Sequence, residues 1–172
     1  CHAPSTVGLK ATVGVAATTC SMEDVIVSDL IVLWGANPAA NQPVFTKYLY
    51  LAKARGCRVV VVNPFLEPAL ERYWVPSNAE SAIFGTKICD LHVPVRPGGD
   101  VALAQLVLKR LIVRGAIDAA FIAEHTNGWD DLIDQLAAVE DVELLEHCGV
   151  DSAVVDEFVD LYAQVGAAIF VW

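Results

Sequence analysis

The sequence predicts a doubly wound α/β domain: a mostly parallel sheet with helices on both of its faces. Three observations carry that prediction. First, runs such as Arg58-Val59-Val60-Val61-Val62 are apolar and β-branched without polar alternation, the pattern of a strand buried on both faces. Second, each such run ends in a turn and is followed by a helix-forming stretch, the alternation that builds parallel sheets through right-handed crossovers. Third, the helical stretches carry their own punctuation, with Asp at several starts and Gly at several stops.

The elements follow in order. Asp29 to Trp34 reads as a first buried strand ending at Gly35. A helix is expected over about Gln42 to Arg55, with Phe45, Leu49 and Ala52 on one face and Gly56 as its stop. Arg58 to Val62 is the second strand, ending at Asn63-Pro64. Leu66 to Lys87, interrupted by Pro68, Pro76 and Gly85, reads as an irregular surface excursion. Leu91 to Val95 is a third strand, and Gly98-Gly99-Asp100 leads into a helix from Val101 to Arg114, with Asp100 as N-cap and Gly115 as stop. Helices are then expected over about Asp118 to Ala123, Trp129 to Ala138, Val142 to Cys148 and Asp151 to Gln164. Ala167 to Val171 is the closing strand. The architecture these elements predict is a Rossmann-like three-layer sandwich.

Composition sets the outer bounds. With 172 residues the chain makes one domain with a full core, 55% of it hydrophobic and 19% charged, far from a disordered composition. Mean hydropathy is high, +0.49, yet no apolar run approaches the roughly 18 residues of a membrane span. Net charge is −10, which argues against nucleic acid as a partner. The five cysteines, Cys1, Cys20, Cys57, Cys89 and Cys148, show neither a C-x-x-C pair nor a zinc spacing. Cys57 and Cys89 stand near strand starts and read as reduced core residues. The chain starts at Cys1 without an initiator Met and stops at Trp172 directly behind a strand, so residues 1–172 are expected to be a single α/β domain within a larger multidomain subunit. The high apolar content agrees, because faces covered by neighbouring domains would carry it.

Ligands of open parallel sheets bind at the carboxyl ends of the strands. Three such ends carry polar or glycine-rich turns: Gly35 to Asn41, Asn63-Pro64, and Pro97-Gly98-Gly99-Asp100. Backbone N–H groups at such turns suit phosphate, and Asn or Asp side chains suit sugar hydroxyls and base edges. Each turn taken alone could equally be a turn former and helix cap. No G-x-G-x-x-G follows the first strand, so the usual dinucleotide fingerprint is absent. At the start of the chain, Cys1-His2 places a soft thiolate beside a proton acceptor, a pairing with little weight alone.

Taken together, these motifs resemble the catalytic (alpha) subunit of molybdopterin oxidoreductases of the DMSO reductase superfamily, in particular formate dehydrogenases and their YdeP-like branch. Cys1-His2-Ala3-Pro4-Ser5-Thr6-Val7-Gly8-Leu9 resembles the formate dehydrogenase active-site segment. Trp34-Gly35-Ala36-Asn37-Pro38, Val61-Val62-Asn63-Pro64 and Arg96-Pro97-Gly98-Gly99-Asp100-Val101-Ala102-Leu103 resemble the family's strand-end cofactor loops. Trp74-Val75-Pro76-Ser77 and Phe84-Gly85-Thr86-Lys87 point to the YdeP-like branch. The resemblance implies a domain gripping one of two molybdopterin guanine dinucleotides that chelate molybdenum or tungsten. It implies Cys1 as metal ligand and, with His2 as proton acceptor, as catalytic residue. Gly35, Asn37, Asn41, Asn63, Gly98 and Asp100 would be cofactor-binding, the last two reading the guanosine end. Asn63 stands where many members have Asp, and Phe65 where formate dehydrogenases often have a basic residue. The implied reaction is a two-electron oxidation of formate or a related small substrate, with the isolated fragment inactive. Expected partners are a small-molecule substrate, the other domains of the subunit and an electron-transfer subunit. A [4Fe-4S] cluster would lie outside this chain, and cytoplasmic location is the default. A non-redox nucleotide-binding module and a non-catalytic scaffold relative are the alternatives, and neither needs Cys1-His2.

Overall fold

A computed structural model describes residues 3–76 and 78–172. Cys1 and His2, the expected metal ligand and proton acceptor, lie outside the described residues, as does Ser77. The main sheet has four parallel strands: β1 (Leu30–Trp34), β2 (Arg58–Val62), β5 (Leu91–Val93) and β6 (Ala168–Val171), in the order β5-β2-β1-β6. The chain winds outward from β1 through β2 to β5, then returns to the other side of β1 as β6. That reversal is what makes the sheet doubly wound and places a switch point between β1 and β6.

Alternate residues of each strand face opposite layers. Leu30, Val32, Val60, Val62, Leu91 and Val93 pack under α7 (Asp100–Val113), α10 (Asp141–Cys148) and α11 (Ser152–Ala163). Ile31, Leu33, Val59 and Val61 pack under α2 (Met22–Val27) and α4 (Phe45–Ala54). The predicted strand valines are thus buried on both faces, and Phe45, Leu49 and Ala52 all point into the second layer. Cys57, Cys89 and Cys148 are buried and free. The remaining helices are α1 (Ala3–Val13), α3 (Pro38–Asn41), α5 (Pro68–Glu71), α6 (Ala79–Phe84), α8 (Ala119–His125) and α9 (Trp129–Ala137). Among the described residues, no helix is long and apolar enough to cross a membrane.

Carboxylates pin the amino-terminal edge of the sheet. Asp29 accepts the N–H groups of Gly166 and Ala167, both at 3.1 Å, and so docks β6 beside β1. Asp90 accepts the Val59 N–H at 2.7 Å and the Lys53 ammonium at 2.5 Å, and so docks β5 and α4 on β2.

Four expectations need correction. The helix expected over Gln42 to Arg55 starts only at Phe45, as α4, because Pro43 disfavours a helical conformation at Gln42, whose φ is −138°, and the separate short helix α3 precedes it within the expected turn. The third strand stops at Val93, since Pro94 has no N–H and the Val95 N–H turns back to the Val93 carbonyl at 2.9 Å. Asp100 is not an N-cap. Gly99 holds that position and Asp100 is the first helical residue, its carboxylate drawn elsewhere. Finally, the segment from Leu66 to Lys87 carries regular structure in its described residues. It holds α5, α6 and the two-stranded antiparallel pair β3 (Arg72–Tyr73) and β4 (Thr86–Lys87). Buried Ser81 organises it, accepting the Val75 N–H at 2.8 Å and sharing a 2.7 Å hydrogen bond with the Thr86 hydroxyl. Leu70, Val75 and Ile88 anchor it by burial. The other predicted elements are observed with boundaries shifted by at most two residues.

Candidate cofactor-binding edge

Because the four strands are parallel, their carboxyl ends come to one edge. Trp34 pairs with Val62 and Val62 with Val93, so the turns after β1, β2 and β5 are neighbours. Three side-chain bonds that local sequence does not announce lock these turns to one another.

The first joins the turns after β1 and β2. Asn37 is the N-cap of α3, and its Oδ1 accepts the Ala40 N–H at 3.2 Å. Its Nδ2 donates to the Glu67 carboxylate. Both ends of the expected ligand reader are therefore already engaged within the protein. The second joins β1 to α7: the Trp34 indole Nε1 donates to Asp100 Oδ1 at 2.8 Å. The third joins the turn after β2 to β5. His92 Nε2 stands 2.9 Å from the Asn63 carbonyl, while the Asn63 N–H donates to the Val93 carbonyl at 3.1 Å and its Nδ2 to the Phe65 carbonyl at 3.0 Å.

The predicted glycines divide by role. Gly35 and Gly98 take φ of +65° and +84°, and a Cβ at either would meet nothing within 4 Å. Their backbone faces open space at the edge, where a ligand can approach closely. The Gly35 N–H, though, donates to the Val62 carbonyl at 2.8 Å and belongs to the sheet. Gly99, between Gly98 and Asp100, has a packing role instead. A Cβ there would lie 2.7 Å from the Cys148 Cα and 2.9 Å from the His147 carbonyl, so α7 can start only where this residue has no side chain. Asn41, the last residue of α3, is exposed. Arg96 is exposed beside this turn, and its Nη1 donates to the Glu146 backbone carbonyl of α10 at 2.9 Å, a neutral acceptor that leaves the guanidinium charge in place.

Helix α1 lies at this end of the molecule as well. Ser5, Thr6 and Leu9 line a groove together with Gln42, Phe45 and the end of β6 at Phe170 to Trp172. The described part of the segment that resembles an active-site stretch, Ala3 to Leu9, thus lies beside the switch point and the turn after β1. The described residues gather no group of three or more His, Cys, Asp or Glu able to hold a metal ion.

Comparison with known proteins settles the family. The model of the molybdopterin oxidoreductase family matches residues 1–136, through all three strand-end turns. The chain belongs to the molybdopterin oxidoreductase family. Over 98% of its length it is 31% identical to protein YdeP of Escherichia coli K12, of which it covers 24%. Over 99% of its length it is 25% identical to formate dehydrogenase H of the same organism, of which it covers 22%. The chain thus spans about a quarter of the length of these relatives. Among solved structures, acetylene hydratase from Pelobacter acetylenicus superposes with a TM-score of 0.62 at 19% identity, covering 88% of this chain and 18% of that one. That superposition supports the α/β fold.

Trp34, Glu67 and His92 were not singled out by sequence reasoning. A Trp at the end of a buried strand carries a polar handle that needs a partner, and a His inside a strand is a polar interruption. Those two signals were available. Glu67 carries none, since an acidic residue in a turn is ordinary.

Proposed function

We propose that this chain is the α/β domain that grips one guanine dinucleotide of a bis-molybdopterin cofactor in the catalytic subunit of a molybdenum or tungsten oxidoreductase. The observation that carries the reading is the carboxyl edge, where Gly35 and Gly98 present open backbone in the turns that the Trp34–Asp100 bond ties together. The donor set fits such a ligand. Asp100 keeps one oxygen beyond its bond to Trp34, and a carboxylate accepts from the N–H groups of a guanine edge. Phosphates would be met by backbone N–H groups at the open turns and by the Arg96 guanidinium, whose bond to the Glu146 backbone carbonyl does not neutralise it. Asn41 and Asn63 supply polar groups for the sugar and pyrophosphate region. Asn37 acts through loop geometry.

When bound, the cofactor supplies the two-electron acceptor. The chain's own groups orient it and handle the proton. Cys1 would hold the metal as a soft thiolate ligand, and His2 would take the proton released when formate is oxidised to carbon dioxide with two electrons, or the corresponding proton of a related small substrate. Electrons leave to further domains or to an electron-transfer subunit.

The test is chemical analysis of the full-length protein purified from its own cell under anaerobic conditions. Molybdenum or tungsten, with molybdopterin and GMP released in proportion to the metal, is the expected result. Metal-free, pterin-free protein would overturn the reading, and would do so in favour of a scaffold role. Cys1→Ala should abolish turnover, whereas His2→Ala should lower the rate with metal content intact.

A further inference from the structure

Asn37 and Glu67 occupy equivalent places in the chain. Each is the N-cap of a four-residue helix, α3 and α5, and each is followed by a proline at the first helical position. A residue before proline is held out of the helical region, so both backbones are pre-set before any side chain meets. Asn37 caps its own helix through Oδ1, but the Glu67 carboxylate makes no cap bond to α5. It reaches across to Asn37 Nδ2 instead. The amide orientation is unambiguous: the Ala40 N–H can only donate, so Oδ1 faces it, and an ionised carboxylate can only accept, so Nδ2 faces Glu67.

The far side of this bridge is anchored. The Glu67 carbonyl accepts the N–H groups of Leu70 at 2.8 Å and Glu71 at 3.1 Å, and the Leu70 side chain is buried in the layer under β2. On the near side Pro38 is buried, while Asn41, Gln42 and Pro43 beyond it are exposed. The turn after β1 therefore runs between a fixed strand end and an exposed segment, and the Glu67 carboxylate supplies a side-chain hydrogen bond that ties its start to a core-anchored element.

We propose that Glu67 is a positioning residue for the cofactor loop: by holding the Asn37 amide it locks the Gly35–Asn41 turn in its cofactor-receiving shape before the cofactor arrives. This rests on the cofactor reading above. A loop ordered in advance costs less to organise on binding, so the effect falls on cofactor uptake and retention.

A charge-swap cycle in the full-length protein tests it. Glu67→Gln keeps an acceptor for Asn37 and should hold near-normal cofactor. Asn37→Asp keeps the cap on α3 but sets two carboxylates face to face, and should retain several-fold less molybdopterin per folded protein. Combining the two restores a donor–acceptor pair with reversed roles and should recover most of the loss. Amide hydrogen exchange at Ala40 and Asn41, in protein purified without cofactor, should follow the same order: protected, exposed, protected. An Asn37→Asp variant as well loaded and protected as wild type overturns the proposal, and so does a double variant no better than Asn37→Asp. Absence of molybdopterin from wild type would instead overturn the cofactor reading, and the exchange pattern would still decide the clamp.

Discussion

The indole N–H of Trp34 at the end of β1 donates to the carboxylate of Asp100 at the start of α7, 2.8 Å away and 66 residues on in the chain. The bond ties the central strand to the glycine turn that follows β5. It also explains why Asp100 leaves the capping position to Gly99: its carboxylate is oriented toward the indole rather than toward its own helix.

Trp34→Phe keeps most of the ring and removes the donor. Asp100 is exposed, so the loss of stability should fall below the range for a buried bond to a charged group, at the value of an ordinary hydrogen bond, about 1 kcal/mol in urea unfolding. Asp100→Asn should be nearly silent in the same measurement, because an amide oxygen still accepts from the indole. If the carboxylate reads guanine, Asp100→Asn nonetheless lowers the GMP recovered per folded protein. Unchanged GMP would assign Asp100 to tethering alone.

Gly99→Ala tests close packing without backbone strain, since Gly99 has an ordinary φ of −87°. The added methyl must displace the Cys148 backbone, so destabilisation of about 1–3 kcal/mol is expected, the range for overpacking. A thermal melt checks it, and an unchanged midpoint would show that α7 and α10 can separate at little cost.

Burial pushes the Cys57 and Cys89 thiols up from their ordinary value. A raised value in the folded state means that folding favours the protonated thiol. This contribution to stability is complete below the ordinary thiol value and is lost as pH rises through the folded one. In the native protein at mildly alkaline pH, iodoacetamide should therefore modify Cys20, which is half-buried, well before Cys57 or Cys89. Mass spectrometry of tryptic peptides reads the order directly, and equal labelling of all three would contradict it.

On the outer side of α7, Arg114 donates to Asp156 and Asp160 of α11, each at 2.7 Å. The hydrogen bond from Arg114 holds the Asp156 carboxyl below the usual carboxylate range, with Arg110 adding to it. The sign is opposite to that of the thiols. This contribution is present above the ordinary carboxylate value and disappears as pH falls through the lowered one. The pair is exposed, so Asp156→Asn should cost little at neutral pH, less still in high salt, and should flatten the acid side of the stability profile slightly.

The strands and most helices were legible in the sequence because their causes are local. Four consecutive valines can sit only where both faces are covered, Asp118 and Asp151 cap the helices that begin one residue later, and Gly115 takes the positive φ that stops α7. The three strand-end turns were legible for the same reason, and their motifs carried the family. Prolines misled at Pro43 and Pro94, where a missing N–H or a restricted neighbour outweighed an otherwise regular pattern. What lay beyond reach was which turn residues face a ligand and which hold the turns together. Asn37 read as a ligand group and also forms half of a bridge to Glu67, 30 residues on, while Gly99 read as a turn former and is the point where α7 meets Cys148. Such pairings have no local signature. They arise only when the parallel sheet brings separate strand ends to one edge, so the chain's short-range chemistry specifies the strands and turns, and tertiary packing decides what each turn residue does.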